Sequence, residues 1–317
     1  MLRRSLPRAA GEAMRLAVAL FSVWLTVSTF VAVGWLRPVV VAGDSMAPHA
    51  RRGDRVWVDR LRSPRRWDAA VVRSPDDARR LIVKRVIGLP GERVEFARGD
   101  VVIDGRVIAK SHSDRRRLRV PVDGAWREPS GWLAGRGWTA TPGGWRFDAA
   151  ENATLRLREP ATDSLARNVD VTRRLNVAAD LELSFDVRLD RDATLKAACS
   201  GPGVRLTQPG QTRVRLSTFD GECAATVDGV KRAVTSDGEA SAGVVRFVAF
   251  GSGELRNLRL WRDVHYEASA LRPGPITLGA DQWLLVGDNQ AVSIDGRNWR
   301  HAPGVPRRLL VGVAAGL

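Results

Sequence analysis

Two short segments of this chain hold residues whose types suit chemistry better than packing. They are Gly43-Asp44-Ser45-Met46-Ala47-Pro48 and Lys84-Arg85-Val86-Ile87-Gly88-Leu89-Pro90-Gly91-Glu92. Of 50 basic residues only four are lysines (Lys84, Lys110, Lys196 and Lys231), so arginine serves wherever a plain positive charge suffices. A lysine at 84 then points to something arginine cannot do. Arginine keeps its proton in any protein environment, whereas a desolvated lysine loses it and can act as a general base. A serine beside a neutral lysine is a hydrolytic arrangement, with the hydroxyl as nucleophile and the amine as proton acceptor. Lowering a lysine pKa by about two units costs about 2.7 kcal/mol, which burial among neighbours such as Val83 and Val86 can impose. Taken singly, Gly-Asp-Ser is ordinary turn chemistry and a lone lysine is a solvated strand-edge charge. His49, four residues after Ser45, is a rival base, but the sequence shows no matched acid to orient it.

The elements that must position these residues read as β structure. Residues 39–42, 55–59, 70–73, 81–87, 93–96 and 101–103 form short strand patterns, and Asp104-Gly105 marks a hairpin turn into 106–109. After Lys110 the composition changes: a charged stretch at 114–119 gives way to a Gly/Trp-rich region with Trp126, Trp132, Trp138 and Trp145. From about 153 to 266, alternating runs such as 181–189 and 212–216 recur between turn signals, which argues for a β-sandwich. Asp228-Gly229 is a second hairpin candidate, and 244–250 followed by 255–261 supply two closing strands. Beyond 271 the first style returns, with 282–286 running into Gly287-Asp288-Asn289 and a last strand at 308–314. The middle module therefore reads as inserted into one domain rather than appended to it.

Residues 16–36 run without a charge, and at 1.5 Å per residue they match the hydrocarbon core of a bilayer. Arg3, Arg4, Arg8 and Arg15 precede them against Glu12 alone, which places the N-terminus in the cytoplasm and the bulk of the chain outside. A cleaved signal peptide with Val41-Ala42-Gly43 as its exit is the other reading, but the apolar run is long for one. The net charge of +15 is dispersed along the chain with no recognition motif, so no nucleic-acid partner is expected and the basic surface suits anionic lipid instead. Cys199 and Cys223 lie in the exported part, where an oxidising compartment permits either a disulfide or two buried thiols. No cysteine and histidine cluster has metal-ligand spacing, and no cofactor is expected.

These segments, in order behind an apolar anchor, resemble the type I signal peptidases, membrane-anchored Ser-Lys proteases that remove signal peptides from exported preproteins. GDSMAP resembles the nucleophile box, Gly53-Asp54-Arg55-Val56-Trp57-Val58 the next strand box, KRVIGLPGE the lysine box, and 287–297 the last box. The resemblance covers roughly 15–110 and 272–317. It implies Ser45 as nucleophile, with its backbone N–H as oxyanion donor, Lys84 as general base and Ser293 as the residue that orients the amine. Asp288 and Asn289 match turn residues that support the last box, and Asp295 and Arg297 match a structural pair. Gly43 stands where part of the family has a hydroxyl that supplies a second oxyanion donor. An extended signal peptide is implied to pair beside 39–42 and 81–83, so Val40, Val41, Ala42, Ile82 and Val83 are candidate substrate contacts. Met46 would line the same face or touch lipid.

The expected architecture is mostly β: a cytoplasmic tail (1–15), a transmembrane helix (16–36), an antiparallel catalytic domain in two parts (37–112 and 272–317) and an inserted jelly-roll-like β-sandwich (113–271). The expected setting is the cytoplasmic (inner) membrane, single-pass, with the catalytic domain on the outer face. The insertion's tryptophans admit a glycan or another envelope ligand as partner. Two other function classes remain: a membrane-tethered binding sandwich on an inactive protease scaffold, and a self-cleaving repressor-like protein, which would need a DNA-binding domain where this chain has an anchor.

Overall fold

The computed structural model describes residues 8–32, 34–166, 168, 171–201, 203–234 and 242–317. Residues 1–7 of the expected tail, with Arg3 and Arg4, and residue 33 of the expected span lie outside the described residues. Helix Arg8–Ala32 contains a stretch, Gly11–Thr29, that is long and apolar enough to cross a membrane and is not buried by the other described residues. Three of its hydroxyls are satisfied within the helix: those of Ser22, Thr26 and Thr29 donate to the carbonyls of Val18, Ser22 and Leu25 at 2.8, 2.8 and 2.7 Å. The helix stops at Ala32 rather than running on to 36. Gly34 adopts φ +73° and its N–H bonds back to the Val31 carbonyl at 3.0 Å, which turns the chain into the first strand.

That strand, Leu36–Val40, is the edge of a seven-stranded antiparallel sheet. From this edge the order runs Leu36–Val40, Arg55–Asp59, Leu310–Ala314, Ala69–Arg73, Leu81–Gly88, Gln282–Val286, Gly304–Pro306. Strands from the two ends of the chain thus alternate across one sheet. Ala69–Arg73 shows why an unbroken apolar run is needed at its middle. Ala69 and Val71 join one cluster with Val41, Met46, Val58 and Val83, while Ala70 and Val72 join another with Val86, Trp283, Leu285 and Trp299. A two-residue period with both faces covered gives this pattern. A four-stranded sheet of Ile276–Thr277, Arg93–Ala97, Asp100–Ile103 and Arg106–Val107 stands beside it. The expected hairpin turn is present at Asp104-Gly105, both with positive φ, 50° and 80°.

Strands between Val120 and Arg262 form an eleven-stranded sheet that folds over on itself. Its spine is a pair of long antiparallel strands, Gly144–Leu157 and Val245–Arg262, whose register slips between Ala149 and Ala153. The near half of Val245–Arg262 pairs with Thr194–Cys199 and the far half with Leu181–Leu189, so the two halves enter different leaves. The leaves close on one core. Phe185 of one meets Phe247 of the other edge-on at 5.2 Å, and both are almost fully buried. The two closing strands expected at 244–250 and 255–261 are therefore one bent strand. The Gly251-Ser252-Gly253 sequence reads as a break but makes the bend, with Gly251 at φ +76° against Ala193. The second expected hairpin, at Asp228-Gly229, is present with φ 50° and 81°.

Two readings left open by the sequence are decided here. The charged stretch at 114–119 is mostly helix, His112–Leu118. The Ser111 hydroxyl caps it by accepting from the Asp114 N–H at 3.2 Å, Asp114 sits in its first turn, arginines fill its last, and Leu118 is buried. Cys199 and Cys223 are free thiols. Cys199 points into the sandwich core, whereas Cys223 is only half-buried and its sulfur faces the Thr218 hydroxyl at 3.8 Å.

Where the small sheet meets the sandwich, Asp100, Asp180 and Asp220 bring carboxylate oxygens within 4.8 Å of one another. Burial, and after it the charges of Asp263, Asp100 and Asp220, push the Asp180 carboxyl up to about 7. A folded-state pKa above the unfolded value means that its contribution to stability is full at acid pH and is lost as pH rises through about 7. Asp180→Asn, which keeps the shape without the charge, should raise the melting temperature of the full chain by several degrees at pH 8. The same scan at pH 4 should show no gain.

Candidate active site

Lys84 lies on strand Leu81–Gly88 with its side chain turned inward and only 3% of the residue exposed. Its Nζ donates to the Ser293 hydroxyl at 2.7 Å, and Ser293 is itself buried. Removal from water lowers the Lys84 pKa from 10.5 to about 8. Asp295 pulls the other way, the Arg297 guanidinium adds to the lowering, and Asp288 opposes it more weakly. Both carboxylates already have arginine partners. Arg297 grips Asp295 through Nε and Nη2 at 2.9 and 2.8 Å, and Arg85 grips Asp288 through Nε and Nη2 at 3.1 and 2.5 Å. The amine is thus surrounded by charge that is largely cancelled pair by pair, and burial decides its pKa.

Ser45 lies in the turn that follows the first strand and is partly exposed. This turn is tied to the last box through backbone. The Asn289 N–H donates to the Ser45 carbonyl at 3.0 Å, and the Asn289 side-chain amide donates to the Asp44 carbonyl at 3.2 Å. Among the described residues the Ser45 hydroxyl makes no hydrogen bond. Gly287 shows how closely the parts meet. A Cβ there would fall 2.2 Å from the Ser293 Oγ and 2.5 Å from the Ser45 carbonyl oxygen, so only hydrogen fits between the serine turn and the partner of Lys84. The Gly287 N–H is itself held by the Asp295 carboxylate at 2.9 Å.

His49 is oriented after all. Its Nδ1 lies 2.8 Å from Asp288 Oδ2, so the acid that sequence spacing did not reveal is Asp288, contributed from the far end of the chain. Its Nε2 is buried without a hydrogen-bond partner among the described residues. Burial alone would raise the Asp288 carboxyl, but Arg85 and then His49 hold it well below the ordinary carboxylate range. One carboxylate therefore joins the lysine strand, the serine turn and the last box.

The candidate substrate contacts separate into two groups. Val40 and Ala42 are exposed and Ile82 is half-buried, whereas Val41, Met46 and Val83 are packed into the core under the serine turn. Met46 touches neither lipid nor an open face. The residue after Ser45 turns inward as the turn closes, and the Ala50 N–H bonds to the Met46 carbonyl at 3.0 Å. Strand Leu81–Gly88 pairs with Gln282–Val286 only from Arg85 onward, so the edge at 81–84 is open on that side. Sequence reading missed the roles of Arg85, Gln290 and Asn168 and the partner of His49. Arg85 was signalled by a charge within an apolar strand, which implies a buried acid. His49 lacked only a visible partner, and Gln290 accepts from Arg297 while donating to the Gly287 carbonyl. Asn168 carried no signal at all: it exchanges amide hydrogen bonds with Asn289 at 2.9 and 3.0 Å and brings the segment between strands Gly144–Leu157 and Leu181–Leu189 against the residue that holds Ser45.

Residues 13–144 match the family model described as signal peptidase, peptidase S26. Among curated relatives, "Signal peptidase I S" of Bacillus subtilis (strain 168) is 34% identical over 90 residues, covering 27% of this chain and 48% of that protein. "Probable signal peptidase I-2" of Synechocystis sp. is 32% identical over 112 residues, covering 32% of this chain and 48% of that protein. The chain spans about half the length of the curated relatives it matches. These matches bear out the resemblance to type I signal peptidases over the matched part. A solved structure provisionally described as a glycosyl hydrolase from Parabacteroides distasonis covers 49% of this chain and 98% of its own, at 9% identity and a TM-score of 0.32, a likeness too weak to bear on the fold.

The Lys84 environment has a measurable cost. With a folded pKa near 8 against 10.5, the unfolded chain binds more protons between those values, so stability should rise with pH across that window. Relative to Lys84→Met, the wild-type protein should gain up to about 3 kcal/mol between pH 8 and pH 10.5 in denaturant titrations. Parallel curves for the two proteins would contradict a buried, depressed amine.

Proposed function

We propose that this chain is a membrane-anchored serine endopeptidase of the type I signal peptidase kind, cutting signal peptides from exported preproteins with a Ser45–Lys84 dyad. The observation that carries the reading is the buried 2.7 Å hydrogen bond from the Lys84 amine to Ser293, in a pocket that lowers the amine to about 8 and shares Gly287 with the serine turn. The matches to signal peptidases support it independently.

At neutral pH about a tenth of such an amine is unprotonated, enough to act as base. The neutral Lys84 Nζ takes the proton of Ser45 as Oγ attacks the scissile carbonyl carbon. The carbonyl π electrons move to its oxygen, which the Ser45 backbone N–H stabilises. When the tetrahedral intermediate collapses, the C–N bond breaks and the Lys84 ammonium returns its proton to the leaving amine, leaving an ester on Ser45. A water molecule then attacks the ester, losing its proton to Lys84, and Ser45 recovers a proton on release. Ser293 orients the amine through the bond it already makes, while Asp295 with Arg297 and Asp288 with Arg85 keep the last box and the lysine strand in register.

The substrate enters in this reading as an extended strand beside the open edge at 81–84 and the exposed residues Val40 and Ala42. The Val41 peptide groups already bond to Asp54 and Gly53, so those of its neighbours face the other way. Helix Arg8–Ala32 anchors the chain in the cytoplasmic membrane, with the N-terminus inside and the catalytic domain outside. The catalytic domain is assigned to 37–112 and 272–317, and the inserted domain to 113–271.

Full-length protein in detergent, given a preprotein with an intact signal peptide, should lose at least about a thousandfold in kcat/KM on Ser45→Ala or Lys84→Ala. Because the base must be neutral, kcat should climb with pH and level off above about 8. Retained turnover in either variant would refute the dyad.

A further inference from the structure

The geometry points to a saccharide-binding cleft on the inserted sandwich, distant in sequence from the Ser45 and Lys84 segments and independent of the peptidase reading. The cleft holds about 700 Å³ and is lined by Trp126, Trp132, Trp145 and Trp261, a size usual for a site that takes a small ligand. Trp132 and Trp145 form a buried floor, packed edge-on at 6.3 Å, while Trp126 and Trp261 are half-exposed at its sides. Two of the indoles are held in place by their own N–H groups: Trp126 Nε1 donates to the Val122 carbonyl at 2.9 Å and Trp132 Nε1 to the Trp126 carbonyl at 2.6 Å. These rings consequently offer π faces rather than donors. Trp261 is braced by the Arg119 guanidinium, 4.0 Å from its ring centre.

Polar groups complete the lining. The Thr141 hydroxyl, in the cleft, is buried and has no hydrogen-bond partner among the described residues, a state that calls for one. Glu128 and Arg259 stand exposed at the cleft and form no ion pair among the described residues. The cleft thus presents flat aromatic surface together with an acceptor, a donor and a hydroxyl that does both. A pyranose matches this set, with an apolar C–H face to lay on an indole and hydroxyls that both give and take hydrogen bonds. A proline-rich peptide stacks on tryptophan too, but its prolines have no N–H to give Glu128. An acyl chain would leave all three polar groups unmatched. A saccharide site here would hold the protein to a carbohydrate polymer or a glycan-bearing partner without engaging Ser45.

The test uses full-length protein in a detergent without a sugar headgroup. Chito-, cello-, malto- and manno-oligosaccharides of three to six units are titrated by tryptophan fluorescence and by calorimetry. At least one series should bind saturably, with a blue shift of the emission. Trp126→Ala should weaken that binding by about tenfold or more, in line with the loss of a stacking ring. Arg259→Ala, an exposed change that spares the core, should weaken it several-fold with an unaltered melting temperature. Absence of saturable binding in all four series, binding that both variants leave unchanged, or preference for a proline-rich peptide over every oligosaccharide would each overturn the proposal.

Discussion

Burying an amine drives its proton off only if the charges around it do not pull the proton back, and this condition shapes the centre of the protein. Two carboxylates, Asp295 and Asp288, stand close enough to Lys84 to raise its pKa. Each is matched to an arginine, Arg297 or Arg85, through two hydrogen bonds. The paired charges then act at the distance of Lys84 mostly as dipoles, and desolvation prevails. Were either arginine missing, the unpaired carboxylate would favour the ammonium, and the neutral fraction of Lys84 at neutral pH would shrink below the roughly one-tenth that a pKa of about 8 allows. The arginines are thus as much a part of the lysine's chemistry as Ser293 is.

The same pairs also join distant parts of the chain. Asp288 meets Arg85 on the lysine strand and His49 in the serine turn, and Asn289, next to it, bonds to Ser45 and Asp44. Gly287 leaves no room for a side chain between the Ser45 carbonyl and Ser293. A short run of the last box therefore sets the distance between the two halves of the candidate dyad. The sheet makes this possible, because Gln282–Val286 lies directly beside Leu81–Gly88 and delivers residue 287 at its end. The sandwich is also in contact with this frame. Asn168 bonds to Asn289, so a change around Asn168 has a direct physical route to the backbone at Ser45.

Much of this was legible in residue types and spacing. Alternation identified the strands, Asp104-Gly105 and Asp228-Gly229 announced their hairpins, and a lysine, one of only four in an arginine-rich chain, drew attention to position 84. The Gly251-Ser252-Gly253 bend was misread because glycine marks both turns and bulges, and only the partner strand distinguishes them. The helix at His112–Leu118 was hidden by its charge density, although its cap and charge order were in plain view. Met46 was placed on an open face because sequence does not say which way a turn residue points.

By itself, then, the order of residues determined which groups have the right chemistry: a serine, a lysine able to lose its proton, an apolar N-terminal stretch, and a β-rich module between two matching parts. These depend on composition and on periods of a few residues, which are local. Tertiary structure alone decided that Lys84 bonds to Ser293, that Asp288 serves both Arg85 and His49, that four tryptophans line one cleft, and that Asn168 reaches Asn289. Each of those contacts joins side chains far apart along the chain or on separate strands. Their partners and burial, and hence their charge states, are set by how the strands pair and the sheets close, which no local pattern encodes.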